Sequence, residues 1–152
     1  MMKKYLLETD IISYAGDKQS LQHEAVTRHL FNISPEDELY ISDLSLYEYR
    51  AGLYLLDSDQ RKRIIQGLNA ILQYVMVLPL SLEEGGEIFG ELSKEHQRRT
   101  GMNDKALKKH TFDMILASEA ICHDMTLVYN DRIHEKLAEI RNDLRIERWT
   151  EN

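Results

Sequence analysis

The sequence contains few of the residues that would support disulfides, flexible linkers or membrane spans. It has one cysteine, Cys122, and two prolines among 152 residues. A single cysteine excludes an intrachain disulfide and any zinc site built from several cysteines, and it is typical of a reducing compartment. No apolar run approaches the roughly 20 residues of a transmembrane helix, and the apolar stretch near Met1 is too short for a secretory signal. We therefore expect a cytoplasmic protein.

Length and composition indicate a single globular domain over residues 1–152. Hydrophobic residues make up 43% of the chain and charged residues 30%, which is typical of a folded protein and not of a disordered one. A chain of this length falls within the usual size of one domain.

Positive charge is scarce and unevenly distributed. The chain has 26 acidic against 19 basic residues, a formal net charge of −7, which argues against a protein that coats nucleic acid non-specifically. Residues 94–110 nevertheless contain six basic and two acidic residues, and we call this segment the basic strip. The strip could attract phosphate groups, or it could be an ordinary solvated surface.

Short aliphatic runs alternate with segments of helical periodicity. The predicted strands are residues 5–7, 39–41, 75–78, 126–129 and 144–149. The predicted helices are residues 21–31, 44–56, 61–73, 82–97, 112–121 and 132–140. Helix starts are indicated at Ser58 and by a capping box from Ser81 to Glu84, and Gly101 indicates a helix end. This alternation predicts an α/β fold with a parallel sheet covered by helices on both faces, and a ligand crevice at the carboxyl ends of the strands.

Two acidic residues follow the first predicted strand. Glu8 ends the apolar run, and Asp10 lies two positions later, so both carboxylates could point the same way if the chain stays extended. The alternative is that Thr9 or Asp10 simply caps a following helix.

A third acidic residue, Glu48, falls within an apolar stripe formed by Leu44, Ala51 and Leu55. A carboxylate buried in such a stripe would cost several kcal/mol without a partner, so it requires a metal, a cation or a cleft. The alternative is a capping-box glutamate paired with Ser45. The other candidate caps of this helix are Ser42 and Asp43.

A fourth acidic residue, Asp113, shares a helix face with Leu116, Ala117 and Ala120, which suggests close packing against the sheet. The alternative role for Asp113 is an interaction with the helix dipole worth about 0.3–1 kcal/mol.

Asn130 and Asp131 follow another predicted strand, where the crevice should lie. Asp131 is also a plausible N-cap of the next helix. Carboxylates that converge without basic partners repel one another, and a hard divalent cation makes such a cluster tolerable. Mg²⁺ or Mn²⁺ held by a few carboxylates suits phosphodiester hydrolysis without a protein nucleophile.

The order of these motifs resembles that of the PIN domain, and in particular of the VapC-type toxins. The opening Leu-Leu-Glu-Thr-Asp-Ile of residues 6–11 is similar to the family's Leu-Leu-Asp-Thr-Asn/Asp-Ile. Residues 48–52 resemble its Glu-x-x-x-Gly motif, residues 113–120 its Asp-x-x-Ile-Ala-x-x-Ala helix, and residues 127–131 its Leu-Val-Thr-Asn/Asp-Asp segment. Residues 144–149 are similar to its last strand. The resemblance covers nearly the whole chain.

The resemblance implies a five-stranded parallel sheet and a Mg²⁺- or Mn²⁺-dependent endoribonuclease. It also implies a homodimer restrained by a cognate antitoxin protein. The acidic metal-site and catalytic positions of the family fall on Glu8, Glu48, Asp113 and Asp131. Supporting positions fall on Thr9, Asp10 and Asn130. With RNA as the substrate, candidate phosphate-binding residues of the basic strip are Lys105, Lys108 and Lys109.

The chain departs from the family pattern at the first acid, which is Glu8 instead of Asp. The added methylene moves the carboxylate by roughly an ångström, a displacement that can cost about 100-fold in rate. A catalytically weak or silent PIN-like interaction module is therefore an alternative. A phosphatase of the haloacid dehalogenase type is a further alternative, although it requires an aspartate at the Glu8 position and leaves Glu48 unexplained.

Overall fold

The computed structural model of the protein describes residues 1–151 and contains one sheet of five strands. The strands are β1 (Lys4–Leu7), β2 (Glu38–Ser42), β3 (Met76–Leu78), β4 (Thr126–Val128) and β5 (Arg145–Glu147). They lie in the order β3-β2-β1-β4-β5, and every neighbouring pair is parallel. The predicted α/β fold with a five-stranded parallel sheet is confirmed, and each predicted strand overlaps an observed one.

Eight α-helices and one 3₁₀ turn, Leu53–Leu55, connect the strands of the described chain. The helices are α1 (Thr9–Gly16), α2 (His23–Asn32), α3 (Asp43–Gly52), α4 (Ser58–Leu72), α5 (Glu84–Thr100), α6 (Asp104–Lys108), α7 (Thr111–Cys122) and α8 (Ile133–Ile140). The six predicted helices are present, whereas α6 was not predicted and α1 was predicted only as the alternative in which Thr9 or Asp10 caps a helix. Within residues 1–151, no helix combines the length and the apolar character needed to cross a membrane.

The sheet separates two apolar cores. Along β1, Leu6 belongs to one core while Tyr5 and Leu7 belong to the other, as the alternation of side chains along a strand requires. The first core includes the buried residues of α7 and α8, and the second includes those of α1 and Trp149. Burial on both faces is characteristic of a parallel sheet whose crossover connections are helices.

The helix ends show which capping predictions hold. Gly101 ends α5 in the left-handed conformation with φ of 67°, as predicted. Asp57 caps α4 by accepting a hydrogen bond from the N–H of Gln60, one residue before the predicted start. The capping box predicted from Ser81 to Glu84 is wrong, because α5 begins at Glu84 and has no side-chain cap.

The stripe predicted on the helix after β2 is also wrong. Ala51 is exposed and Leu55 is 89% exposed, because α3 ends at Gly52 and turns a different face towards the sheet. Ser45 is the buried residue of this helix, and Leu46 packs against the second core. Ser42 caps the helix by accepting a hydrogen bond from the N–H of Leu44.

Helix α1 is held against α4 by a close crossing of two glycines. An added Cβ at Gly67 would clash with the carbonyl oxygen of Gly16. Because α1 starts directly after Glu8, this crossing fixes the path of the chain as it leaves the central strand.

Candidate active site

The carboxyl ends of β1 and β4 are adjacent, and this brings Glu8 close to Asn130 and Asp131. The Glu8 N–H donates to the carbonyl of Val128 and extends the parallel pairing by one residue. The Glu8 side chain then accepts hydrogen bonds at Oε2 from the backbone N–H of Asn130 at 2.6 Å and from that of Asp131 at 3.3 Å. Glu8 occupies the N-cap position of α1, but its side chain does not cap the helix. Neither Thr9 nor Asp10 is the N-cap, so the capping alternative does not hold.

Glu8 is a buried carboxylate, with only 6% of the residue exposed. Burial raises the pKa of the Glu8 carboxyl above its ordinary value, and the nearby Asp10 carboxylate acts in the same direction. The N–H donors of Asn130 and Asp131 and the imidazole of His134 oppose this rise in the pKa. The site thus holds a carboxylate in an environment that disfavours its negative charge.

Asp113 and His134 complete a compact group with Glu8. Asp113 lies in the first turn of α7 and His134 in the first turn of α8. The Nε2 atom of His134 lies 3.6 Å from Oδ1 of Asp113 and 3.9 Å from Oε2 of Glu8. One donor atom from each of the three residues lies within 4.8 Å of the other two, so the group could hold a metal ion.

His134 was missed by the sequence analysis. Its side chain is fully buried, and neither ring nitrogen has a hydrogen-bond partner in the described chain. Buried polar atoms are nearly always satisfied, so the Nε2 atom, which lies near both carboxylates without a hydrogen bond, is suited to bind a metal ion. A sequence signal existed, because His134 interrupts the buried face of α8 between Ile133 and Leu137.

Glu48 is exposed and lines, together with Glu8 and Asp113, a cleft of about 250 Å³. The hydroxyl of Thr9 donates a hydrogen bond to its carboxylate. Partial desolvation raises the pKa of Glu48, and Asp113 and Asp10 raise it further. The cleft is lined by Glu8, Thr9, Asp10, Leu44, Ser45, Glu48, Lys109, Phe112, Asp113 and Leu116.

The predicted supporting residues form local hydrogen bonds around the cleft. Asn130 donates from Nδ2 to Asp10 at 3.1 Å and to the hydroxyl of Tyr14 at 3.2 Å. Asp10 is exposed and faces the same cleft as Glu8 and Glu48. The supporting residues thus connect α1 to the segment after β4.

Asp131 has a different environment from the other three predicted acids. It is exposed, and its Oδ1 atom accepts a hydrogen bond from the N–H of Ile133 at 3.1 Å, close to the start of α8. Its carboxylate is not part of the group that could hold a metal ion. Asp131 contributes to the site through its backbone N–H, which donates to Glu8.

The basic strip is divided between two helices. On α5, Arg98 and Arg99 both donate to Glu95, and these hydrogen bonds lower the pKa of Glu95 to about 2. Lys105 and Lys108 are exposed on α6. Lys109 lines the cleft itself, so the strip continues into the candidate active site.

The donor set fits a divalent cation. Glu8 and Asp113 offer carboxylate oxygens and His134 offers an imidazole nitrogen, and Glu48 and Asp10 line the same cleft as the two acids. Carboxylates suit Mg²⁺ and Mn²⁺, and an imidazole ligand shifts the preference towards the transition metal. The unpartnered nitrogens of His134 are the structural observation that supports this fit.

Comparison with known proteins gives one family match by sequence and several matches to solved structures by fold. The profile of the PIN domain family matches residues 5–140. No curated protein matches the chain by sequence. Among solved structures, the chain is similar to VapBC2 from Rickettsia felis bound to a DNA fragment from their promoter, with 22% identity, a TM-score of 0.73, and coverage of 96% of this chain and 98% of that chain.

Two further solved structures share the fold. One is VapBC-1 from nontypeable Haemophilus influenzae, with 18% identity, a TM-score of 0.69, and coverage of 97% of this chain and 99% of that chain. The other is VapC20 of Mycobacterium tuberculosis, a sarcin-ricin loop cleaving toxin, with 12% identity, a TM-score of 0.58, and coverage of 84% of this chain and 90% of that chain.

Proposed function

Because this chain belongs to the PIN domain family, whose members are nucleases, we propose that it is a divalent-metal-dependent endoribonuclease and the toxin of a toxin–antitoxin pair. The observation that carries the proposal is the group of Glu8, Asp113 and His134, in which two carboxylates face a buried imidazole without hydrogen-bond partners. This group lies at the carboxyl end of the central strand, where parallel α/β folds bind their ligands.

We assign the metal site to Glu8, Asp113 and His134, with Glu48 lining the same cleft. When bound, Mg²⁺ or Mn²⁺ would activate a water molecule and stabilise the leaving oxygen of a phosphodiester. The backbone N–H groups of Asn130 and Asp131 orient Glu8 by holding its Oε2 atom. Thr9 orients Glu48 through its hydroxyl hydrogen bond. His134 favours Mn²⁺ over Mg²⁺, because imidazole is a better ligand for the transition metal.

We propose that Asp131 acts on the site indirectly and is not a metal ligand. It is not the N-cap of α8, but its carboxylate accepts a hydrogen bond from Ile133, the first residue of that helix, which also carries His134. Substitution of Asp131 would therefore act on the site through the position of α8 and through the N–H that holds Glu8.

RNA is the proposed substrate. Lys109 in the cleft and the exposed Lys105 and Lys108 provide positive charge beside the acidic group, as a site that binds a polyanion requires. The similar fold of VapC20, a toxin that cleaves the sarcin-ricin loop, supports this choice. RNA is usually recognised by its shape and by unpaired loops, so the particular RNA is not encoded in a local motif of this chain.

A cognate antitoxin and a second copy of the chain are the proposed protein partners. Two of the solved structures that share this fold are VapBC structures. A homodimer is supported by exposed apolar side chains on α3 and the adjoining 3₁₀ turn, where Tyr47 is 77%, Tyr54 78% and Leu55 89% exposed. Large apolar side chains grouped on a surface often mark a protein interface.

The test compares two aspartates that each lie in the first turn of a helix. They are Asp113 and Asp59, and only Asp113 lines the cleft. Asp113→Asn should lower Mn²⁺-dependent RNA cleavage by at least about 100-fold, since the loss of a ligand should exceed the 10–100-fold cost of losing a residue that only orients one. Asp59→Asn should retain cleavage, and excess EDTA should abolish it in the unmodified protein.

Calorimetry with Mn²⁺, combined with the cleavage assay, distinguishes a nuclease from the silent interaction module. Metal binding without cleavage of any RNA tested would favour that module. Cleavage that persists in EDTA, or in Asp113→Asn, would contradict the metal mechanism.

A further inference from the structure

A second group of possible metal ligands lies at the opposite end of α7 from Asp113. Glu119, Cys122 and His123 occupy positions i, i+3 and i+4, which places them on one face of the helix. Their donor atoms, a carboxylate oxygen, the thiol sulfur and an imidazole nitrogen, all lie within 4.8 Å of one another. None of the three lines the candidate active site.

Glu119 is the unusual member of this group, because it is a carboxylate with 97% of its side chain buried. Its Oε1 atom accepts a hydrogen bond from the N–H of Ser81 at 2.7 Å. Its Oε2 atom is buried without a hydrogen-bond partner, and Nε2 of His123 lies 3.2 Å away. A buried carboxylate oxygen without a hydrogen bond is costly, and a metal ion held between this atom and the imidazole of His123 would compensate its charge.

The separation of the imidazole nitrogen and the carboxylate oxygen matches a tetrahedral metal site. With metal–ligand distances of about 2.0–2.1 Å, tetrahedral nitrogen and oxygen ligands lie about 3.3 Å apart. The observed separation of 3.2 Å between His123 and Glu119 is close to this value.

The contacts of Ser81 exclude a serine hydrolase site at this group. Ser81 Oγ lies 2.8 Å from Nε2 of His123, as a nucleophilic serine would lie from its base. In a catalytic triad the carboxylate contacts the other ring nitrogen, whereas Glu119 approaches the same Nε2 atom. The group therefore lacks the arrangement of a serine hydrolase.

We propose that Glu119, Cys122 and His123 form a zinc site that is separate from the active site. The mixture of thiolate, imidazole and carboxylate ligands suits Zn²⁺, and three protein ligands leave the fourth position to water. Binding forms a zinc–sulfur bond and releases the proton of the Cys122 thiol to solvent. The N–H of Ser81, in the segment between β3 and α5, donates to Oε1 of Glu119, so the occupied site would fix a ligand that joins that segment to α7.

Cobalt distinguishes this site from the acidic cleft by its spectrum. The metal-free full-length protein is titrated with Co²⁺, which should give a thiolate-to-cobalt charge-transfer band at about one equivalent. Excess Zn²⁺ should displace the band. Asp113→Asn should retain it, because the active site contributes oxygen and nitrogen ligands but no sulfur.

Two substitutions in the group supply the decisive comparison. Cys122→Ser should abolish the charge-transfer band, and His123→Gln should weaken Zn²⁺ binding by at least about tenfold. Both side chains are partly exposed, and circular dichroism checks that each variant folds. In the Asp113→Asn background, Zn²⁺ should raise the melting temperature unless Cys122→Ser is also present. Absence of the band in the unmodified protein, or its persistence in Cys122→Ser, would overturn the proposal.

Discussion

Glu8 illustrates how a residue can be placed for function at a cost in stability. Its carboxylate is buried beside Asp113 and next to Asp10, and burial raises its pKa. The folded protein therefore binds a proton at Glu8 more tightly than the unfolded chain does. The stabilising contribution is complete below the unfolded pKa of about 4.3 and is lost as the pH rises through the folded pKa.

Replacing Glu8 with glutamine should make the metal-free protein more stable at neutral pH. In Glu8→Gln the amide oxygen can still accept from the N–H groups of Asn130 and Asp131, but the buried charge is absent. We expect a gain of about 1 kcal/mol in the free energy of unfolding at pH 8 and a smaller gain at pH 5, measured by urea denaturation in EDTA. A variant that is less stable than the unmodified protein at both pH values would contradict this account.

Glu8→Asp keeps the negative charge but shortens the side chain by one methylene, so it tests the position of the carboxylate. If the site merely tolerated Glu8, the family's usual aspartate should raise the cleavage rate. The two hydrogen bonds from Asn130 and Asp131 instead indicate a backbone adapted to the longer side chain. We therefore expect Glu8→Asp to lower both the Mn²⁺ affinity and the rate of RNA cleavage. An increase in either quantity would contradict the inference that the backbone is adapted to glutamate.

For single residues, the sequence identified candidate acidic residues but not the side chains that pack around them. Glu8 and Asp113 were predicted from their places after a strand and on a helix. His134 and Glu119 were missed: His134 had a signal in the apolar face that it interrupts, but its carboxylate neighbours come from distant parts of the chain, and the burial of Glu119 shows only in the packing. Glu48 was predicted to be buried and is exposed, since the direction in which α3 faces depends on its contacts with the sheet.

The elements that the sequence predicted best are those with strong hydrophobic patterns. All five strands were predicted because each is a short aliphatic run between turn signals. Helix α1 was predicted only as an alternative, because its two isoleucines, Ile11 and Ile12, continue the apolar character of β1 and the helix lacks a side-chain cap. Helix α6 has only five residues, three of which are charged, and such a segment carries no buried stripe to reveal it.

The lysines of α6 and its end should bind the RNA backbone. Neutralising Lys105, Lys108 and Lys109 together to glutamine should weaken RNA binding and reduce its salt dependence. Each lost phosphate contact should lower the log–log slope for single strands by about 0.7. The measurement is RNA binding by the Asp113→Asn protein over a range of salt concentrations.

The matched control uses the other half of the basic strip. Arg98 and Arg99 are already paired with Glu95, so Arg98→Gln with Arg99→Gln should change the slope less than the lysine substitutions do. If the arginine and lysine substitutions change the slope equally, RNA binding depends on the overall charge of the basic strip and not on the lysines that lead into the cleft.

At the scale of the whole molecule, the distribution of charge favours a basic partner as well as a polyanionic substrate. The chain carries a net charge of −7, and the basic strip accounts for +4, so the remainder carries −11. A cleft that contains Glu8, Asp10, Glu48 and Asp113 beside one lysine attracts cations. When no metal is bound, an arginine side chain is a suitable occupant, because its planar group pairs with carboxylates through two hydrogen bonds.

This charge distribution predicts that the antitoxin inhibits by inserting an arginine or lysine among these acids. Gentle purification from the native host should recover a complex that does not cleave RNA in Mn²⁺, whereas the separated chain should cleave it. Association should slow as salt is added, since opposite charges accelerate the encounter. Asp113→Asn should weaken the complex more than Asp59→Asn, because only the first changes the charge of the cleft. A complex whose affinity is the same for both variants would place the inhibitory contact outside the cleft, and a chain that is always recovered alone and is not toxic would favour the silent interaction module.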